Sequence, residues 1–173
     1  YKGELHIIAD NNAADNSVST AASSAAWKAI RASDGALITP DGNGTTSGSI
    51  KLNVVSGKAV WDTTITDQKD EGRGCSFTDI TAGSAVGDAA KLVLMALALM
   101  PDAALTGTGI DTTYGGDYFW FNNGAEERLP LRGGYWYDGG NAGLFLLNLD
   151  YPRSGSNWDV GGRSAFVELP AES

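Results

Sequence analysis

The sequence predicts an α+β fold with two helices, short antiparallel strands, and long irregular loops. Three observations lead there: strand-length apolar runs recur along the chain, two segments have helical composition, and 23 glycines are scattered over 173 residues without a repeat. A chain of this length can bury a substantial core, so residues 1–173 are expected to form a single domain, with 1–49 open to reading as an N-terminal attachment segment.

The elements follow in order. "ELHIIA" at 4–9 suits a strand, and "NNAADNS" after it carries turn and cap chemistry. From Ser17 to Ala32 the alanine-rich stretch sets Trp27 and Ile30 at i,i+3, which predicts the first helix. Glycine, serine and threonine dominate 39–49, a loop or small linker. Between Ile50 and Thr66 apolar and polar residues alternate around "SGK", as in a hairpin. Ser84 to Met100, closed by Pro101, is apolar enough for a mostly buried second helix. "DYFWF" at 117–121 predicts a strand, "NNG" at 122–124 a tight turn, and "RSAFVEL" at 163–169 a closing strand.

Composition removes several function classes. Twelve basic against 21 acidic residues give a net charge of −9, which repels phosphate backbones and anionic lipid surfaces, so no nucleic-acid partner is expected. The longest apolar run, "LVLMALALM" at 92–100, is too short to cross a bilayer, and no charged-then-apolar leader opens the chain. A soluble protein without membrane insertion is expected, and the opening Tyr1 suggests a piece of something longer. Cys75 is the single cysteine, which excludes an internal disulfide and a thiolate metal cluster.

No enzyme pattern emerges. His6 is the single histidine and sits in an apolar run, where a strand role is expected. "GRSAF" lacks the last glycine of a nucleophile elbow, Gly57 and Lys58 are followed by alanine rather than a phosphate-loop hydroxyl, and "GTGIDT" fails the dinucleotide pattern. The pairs Glu126/Glu127 and Asp67/Asp70 and the "DGNG" at 41–44 read as solvated turns, since no calcium-loop pattern frames them. No cofactor, metal or catalytic residue is expected.

The stretch from Leu129 to Phe166, "LPLRGGYWYDGGNAGLFLLNLDYPRSGSNWDVGGRSAF", is where a family resemblance lies. Arg132, Gly133, Gly134 and Trp136, then "NAGLF" with Gly143 and Phe145, then "NL" at 148–149, "RS" at 153–154 and "GGRSAF" at 161–166 resemble the variable proteins of diversity-generating retroelements. The resemblance implies a C-type-lectin-like fold of the formylglycine-generating-enzyme branch, with 129–166 as a variable ligand-binding region. In that family a reverse transcriptase misreads template adenines, so codons of the AAC type change while the framework stays fixed.

Such a codon never yields Lys, Glu, Gln or Met, and none of the four occurs between Gly133 and Gly162 although the rest of the chain uses all of them. The variable positions this implies are Tyr135, Tyr137, Asp138, Gly140, Asn141, Asn148, Asp150, Tyr151, Ser154, Gly155, Asn157, Asp159 and Gly162. Trp136 matches a framework position; Trp158 lies outside the codon rule and joins the binding set as fixed or as the product of another adenine-containing codon. Tyrosines among Ser, Gly, Asn and Asp have the composition of a paratope: large anchors with few torsions to freeze, flanked by adaptable polar groups.

The expectation is a non-enzymatic module that binds a protein or glycan receptor on a target cell surface, carried on a virion tail fibre or displayed on a cell. A fixed-specificity carbohydrate-binding or structural virion domain is the alternative. A formylglycine-generating oxidase would need a pair of cysteines for copper, and Cys75 stands alone.

Overall fold

The computed structural model describes residues 1–8, 27–102, 117–134, 136–152, 154–157 and 160. Among them are ten strands in three sheets and one α-helix. The first sheet is β1 (His6–Ile8), β2 (Trp27–Ile30) and β3 (Leu37–Ile38), antiparallel throughout. The second is β4 (Lys51–Val55), β5 (Lys58–Asp62) and β7 (Thr81–Ala82); the third has the order β6 (Arg73–Ser76), β8 (Tyr118–Phe121), β10 (Leu147–Leu149), β9 (Leu131–Arg132).

This corrects the expected α+β, two-helix, lectin-like class: the described architecture is mainly β, with a single α-helix. Trp27–Ile30, placed by its alanines within a first helix, is instead the central strand of its sheet. An isolated short helix gains little from propensity alone, whereas this segment finds backbone partners on both sides, Ala29 facing His6 on β1 and Ile38 on β3. Small Ala29 and adjacent Ile30 are both fully buried, a pattern that a strand covered on both faces satisfies. The rest of that expected helix, and the closing strand at 163–169, lie outside the described residues. Against the expected antiparallel strands, β5 with β7 and β8 with β10 pair in parallel; the other pairs are antiparallel.

The hairpin at 50–66 forms as β4 and β5, with Leu52 opposite Trp61. Ser56 and Gly57 turn it, at φ 51° and 79°, the positive values a tight two-residue hairpin requires. Helix α1 covers Asp88–Ala96, shorter than the 84–100 expected, and only one face is inside: Ala90 and Leu94 are buried while Leu92 is exposed. It ends before Pro101 because Ala98 turns left-handed (φ 52°), with Leu99 N–H donating to Leu94 O (2.8 Å) and Ala98 N–H to Met95 O (2.9 Å). That is a Schellman closure with alanine where glycine is usual.

The core joins all three sheets to α1: Ile30 and Ala32, then Ile50, Leu52, Val54 and Trp61, then Phe77, Phe119, Phe121 and Leu147, closed by Val86, Ala90 and Leu94. Trp61 is the largest fully buried side chain, and its Nε1 donates to Leu99 O (2.9 Å), tying the hairpin to the end of α1. Isolated bridges join Glu4, just before β1, to Lys51 of β4, and Arg31, just after β2, to Ser49 ahead of β4.

A buried polar seam backs those bridges. The Glu4 carboxylate accepts from His6 Nε2 (2.9 Å), Thr46 Oγ1 (3.1 Å) and Ser49 Oγ, while Lys51 Nζ donates to Thr46 O (2.7 Å) and Ser49 Oγ (2.8 Å). Burial pushes the Glu4 carboxyl upward, but the donors from His6, Ser49 and Thr46 outweigh it and hold it below the usual carboxylate range. The "NNG" turn is a second polar anchor: fully buried Asn123 donates to Leu52 O and Asp67 O (both 2.9 Å) and accepts from Lys69 N (3.1 Å) and Arg73 Nη2 (2.5 Å).

Candidate functional site

The stretch expected to bind is the connection from β9 through β10 and beyond, and its glycines set its course. Gly134 sits at φ 66°, and a Cβ there would lie 2.8 Å from both Ala142 Cβ and Leu146 Cδ1, so only glycine lets the loop close on itself. Residues Trp136–Asn141 then form two short 3-10 turns broken at Gly139 (φ 55°, ψ −129°). Gly143 packs so tightly on Asp117 that an added Cβ would fall 2.6 Å from the carboxylate carbon. The Asp117 side chain, itself buried, accepts the Phe145 N–H (2.7 Å), and its carbonyl accepts Phe77 N–H (2.7 Å). One buried aspartate therefore fastens the loop to the core just before β10.

At the other end, Arg132 Nη2 donates to Leu97 O (3.0 Å) and Ala98 O (2.6 Å), capping carbonyls left open where α1 stops and placing a cation at the negative helix end. Leu147 is fully buried, with Phe145 and Leu149 packed against the core beside it. Arg163, in the matching "GGRSAF" motif, lies outside the described residues.

On this frame the loop turns its large side chains outward. Tyr137 is 72 % exposed, Trp136 81 % and Leu144 83 %, the Trp136 and Tyr137 rings meeting edge-on at 5.4 Å. Gly140, Asn141, Ser154 and Asn157 are exposed; Asp138, Asn148, Asp150, Tyr151 and Gly155 are half-buried. Tyr135, Trp158, Asp159 and Gly162 lie outside the described residues. Trp136 departs from the framework role its motif position implies, since a side chain this exposed supports nothing beneath it.

Two further aromatics join the surface. In β8 the residues alternate, Phe119 and Phe121 into the core, Tyr118 and Trp120 outward, with the Tyr118 and Trp120 rings 4.4 Å apart. Asn148 of β10 is in register with Trp120, so the strand brings an amide beside that aromatic pair. Gly74 of β6, also paired with Trp120, leaves the other side low: a Cβ there would come within 3.0 Å of the Tyr118 ring. The alternation in "YFWF" was the available sequence signal for this pair.

The residues set aside as catalytic or metal-binding candidates are occupied structurally. His6 is held by Glu4; Asp67 pairs with Arg73 (2.9 Å), Glu126 with Lys2 (4.0 Å), and Asp70 accepts from Asn122 (2.8 Å). In "DGNG", Asp41 accepts from its own loop, Asn43 N (2.8 Å) and Thr45 N (3.2 Å). Cys75 is buried, and burial pushes its thiol up, away from the reactive thiolate. Among the described residues no group of three or more His, Cys, Asp or Glu could hold a metal, and no helix is long and apolar enough to cross a membrane. No protein-family model and no curated protein matches this chain.

Proposed function

We propose that this chain is a non-enzymatic recognition module whose surface across 133–162 binds a protein or glycan receptor on a target cell, and that the same surface is diversified by templated adenine mutagenesis. The observation that carries the reading is the contrast within one segment: Trp136, Tyr137 and Leu144 stand almost fully in solvent, while Gly134, Gly143, Leu146 and Leu147 between and beside them are locked to the frame. Exposed aromatics pay little entropy on contact and bury much area, which suits an anchor role. Substitution at an exposed variable position such as Tyr137 costs within about half a kcal/mol, so the surface is free to change above a fixed core. A virion tail fibre or a cell-surface display protein is the setting this fits.

The test is genetic. A near-copy of the DNA for residues 133–162, differing almost solely at adenines and lying beside a reverse-transcriptase gene, is the expected finding. A neighbourhood without both removes the diversification half of the proposal.

A second reading, a carbohydrate-binding surface of fixed specificity, is favoured by the outward pair Tyr118 and Trp120 beside Asn148. These aromatics lie outside the variable segment. A glycan array in which Trp120→Ala abolishes binding to one sugar class, and replacement of Tyr137 and Asn141 does not, would select this reading over the first.

A further inference from the structure

Away from the loop surface, a cavity of about 520 Å³ opens among β1, β2, β5, the end of α1 and the 127–132 segment. Leu5, Ile7, Trp27, Trp61, Leu99 and Leu129 supply its apolar walls. A volume in this range with mostly apolar walls and a few converging polar groups is what small-molecule sites have.

The polar groups specify the guest. Arg128 lines the cavity with its side chain only 21 % exposed. Its Nη1 donates to Glu127 O (2.7 Å), Asp70 approaches Nη2 only at 3.7 Å, and the buried Nε faces Asp150 at 3.9 Å without a hydrogen bond. The guanidinium is thus held loosely by its carboxylates, and the donors it turns to the cavity gain from an acceptor there. An anion is disfavoured, because Glu4 and Glu127 line the same space and Asp70 and Asp150 already face the guanidinium. A cation is equally disfavoured by Lys2, Arg128 and Arg132. We infer that this cavity binds a neutral, largely apolar small molecule whose carbonyl, ether or hydroxyl oxygen is taken by Arg128, with the Trp27 indole and Leu129 against its apolar body.

The site borders the proposed receptor segment at Leu149 and Asp150, and its test is separate from that of the receptor surface. The full chain is titrated with Nile red, a neutral, planar, apolar dye with a carbonyl acceptor, and its emission followed. Saturable one-to-one binding with a blue shift is expected. It should weaken at least about tenfold in Leu129→Trp, which fills the space, and about tenfold in Arg128→Met, a factor equivalent to one ordinary hydrogen bond. Should Leu129→Trp not fold, Leu97→Trp at the half-exposed end of α1 carries the same expectation. The double variant Trp136→Ala/Tyr137→Ala should bind the dye as the parent does. Absence of saturable binding, indifference to the filling variant, or loss in the Trp136/Tyr137 variant would each overturn the inference; the last would put the dye on the loop surface instead.

Discussion

Gly143→Ala is the sharpest perturbation of the frame. The new methyl would sit 2.6 Å from Asp117 Cγ, well inside contact distance, so either the carboxylate or the loop must move. Asp117 is 4 % exposed and has little room to swing. Moving it sacrifices the 2.7 Å bond from Phe145 N–H. A hydrogen bond to a charged group contributes about 1.5–3 kcal/mol, and leaving its buried partners unpaired adds to the loss, so a total of about 2–4 kcal/mol is expected. For a chain of this size each kcal/mol moves the melting midpoint by about 2–4 °C, giving a drop of roughly 4–16 °C. Urea unfolding gives the same quantity as a lower midpoint at unchanged slope. Tyr137→Ser, one position in the same loop but 72 % exposed, should stay within about 0.5 kcal/mol of the parent. Gly143→Ala within that same narrow margin would refute the argument that the loop is fixed by contact with Asp117.

Three other outcomes follow from the same geometry. Ala98→Gly should stabilise the protein by about 1 kcal/mol, since the left-handed φ of 52° strains alanine and not glycine, read as a rise in urea midpoint. Trp61→Phe should cost about 2–4 kcal/mol, because the fully buried indole both fills the core and satisfies Leu99 O; calorimetry measures it. Glu4 has its carboxyl held below its ordinary 4.5, so its contribution is present above that value and is lost as pH falls through the folded one. Unfolding free energy should therefore decline as pH falls below about 4.5, and Glu4→Gln should flatten that decline while lowering stability at neutral pH.

Local signals were legible in the sequence, and long-range pairings were not. Alternation around "SGK" identified β4 and β5 because a two-residue turn fixes its own register. "DYFWF" identified β8 because an aromatic run of strand length suits a half-buried pleated strand. Helix α1 was legible from its apolar run, but its early stop at Ala96 was not, since the left-handed closing residue is alanine rather than a glycine that would have announced it. Trp27–Ile30 misled because alanine favours a helix only until a better backbone partner is available on each side. The parallel pairs joining β5 to β7 and β8 to β10 leave no local mark at all. For the surface, the glycines marked the loop and Tyr137 is exposed there, whereas Trp136 was assigned to the frame because motif position says nothing about which way a ring points.

The most direct measurement compares two libraries of the chain by protease resistance and sequencing. One randomises Tyr137, Asp138, Asn141, Asn148, Ser154 and Asn157 over the residues an adenine-mutated AAC codon reaches; the other randomises Asp117, Gly134, Gly143, Leu146, Leu147 and Phe119. Most members of the first should resist cleavage as the parent does, and most of the second should be cut readily. Equal losses in both libraries would contradict the separation of a fixed frame from an exchangeable surface.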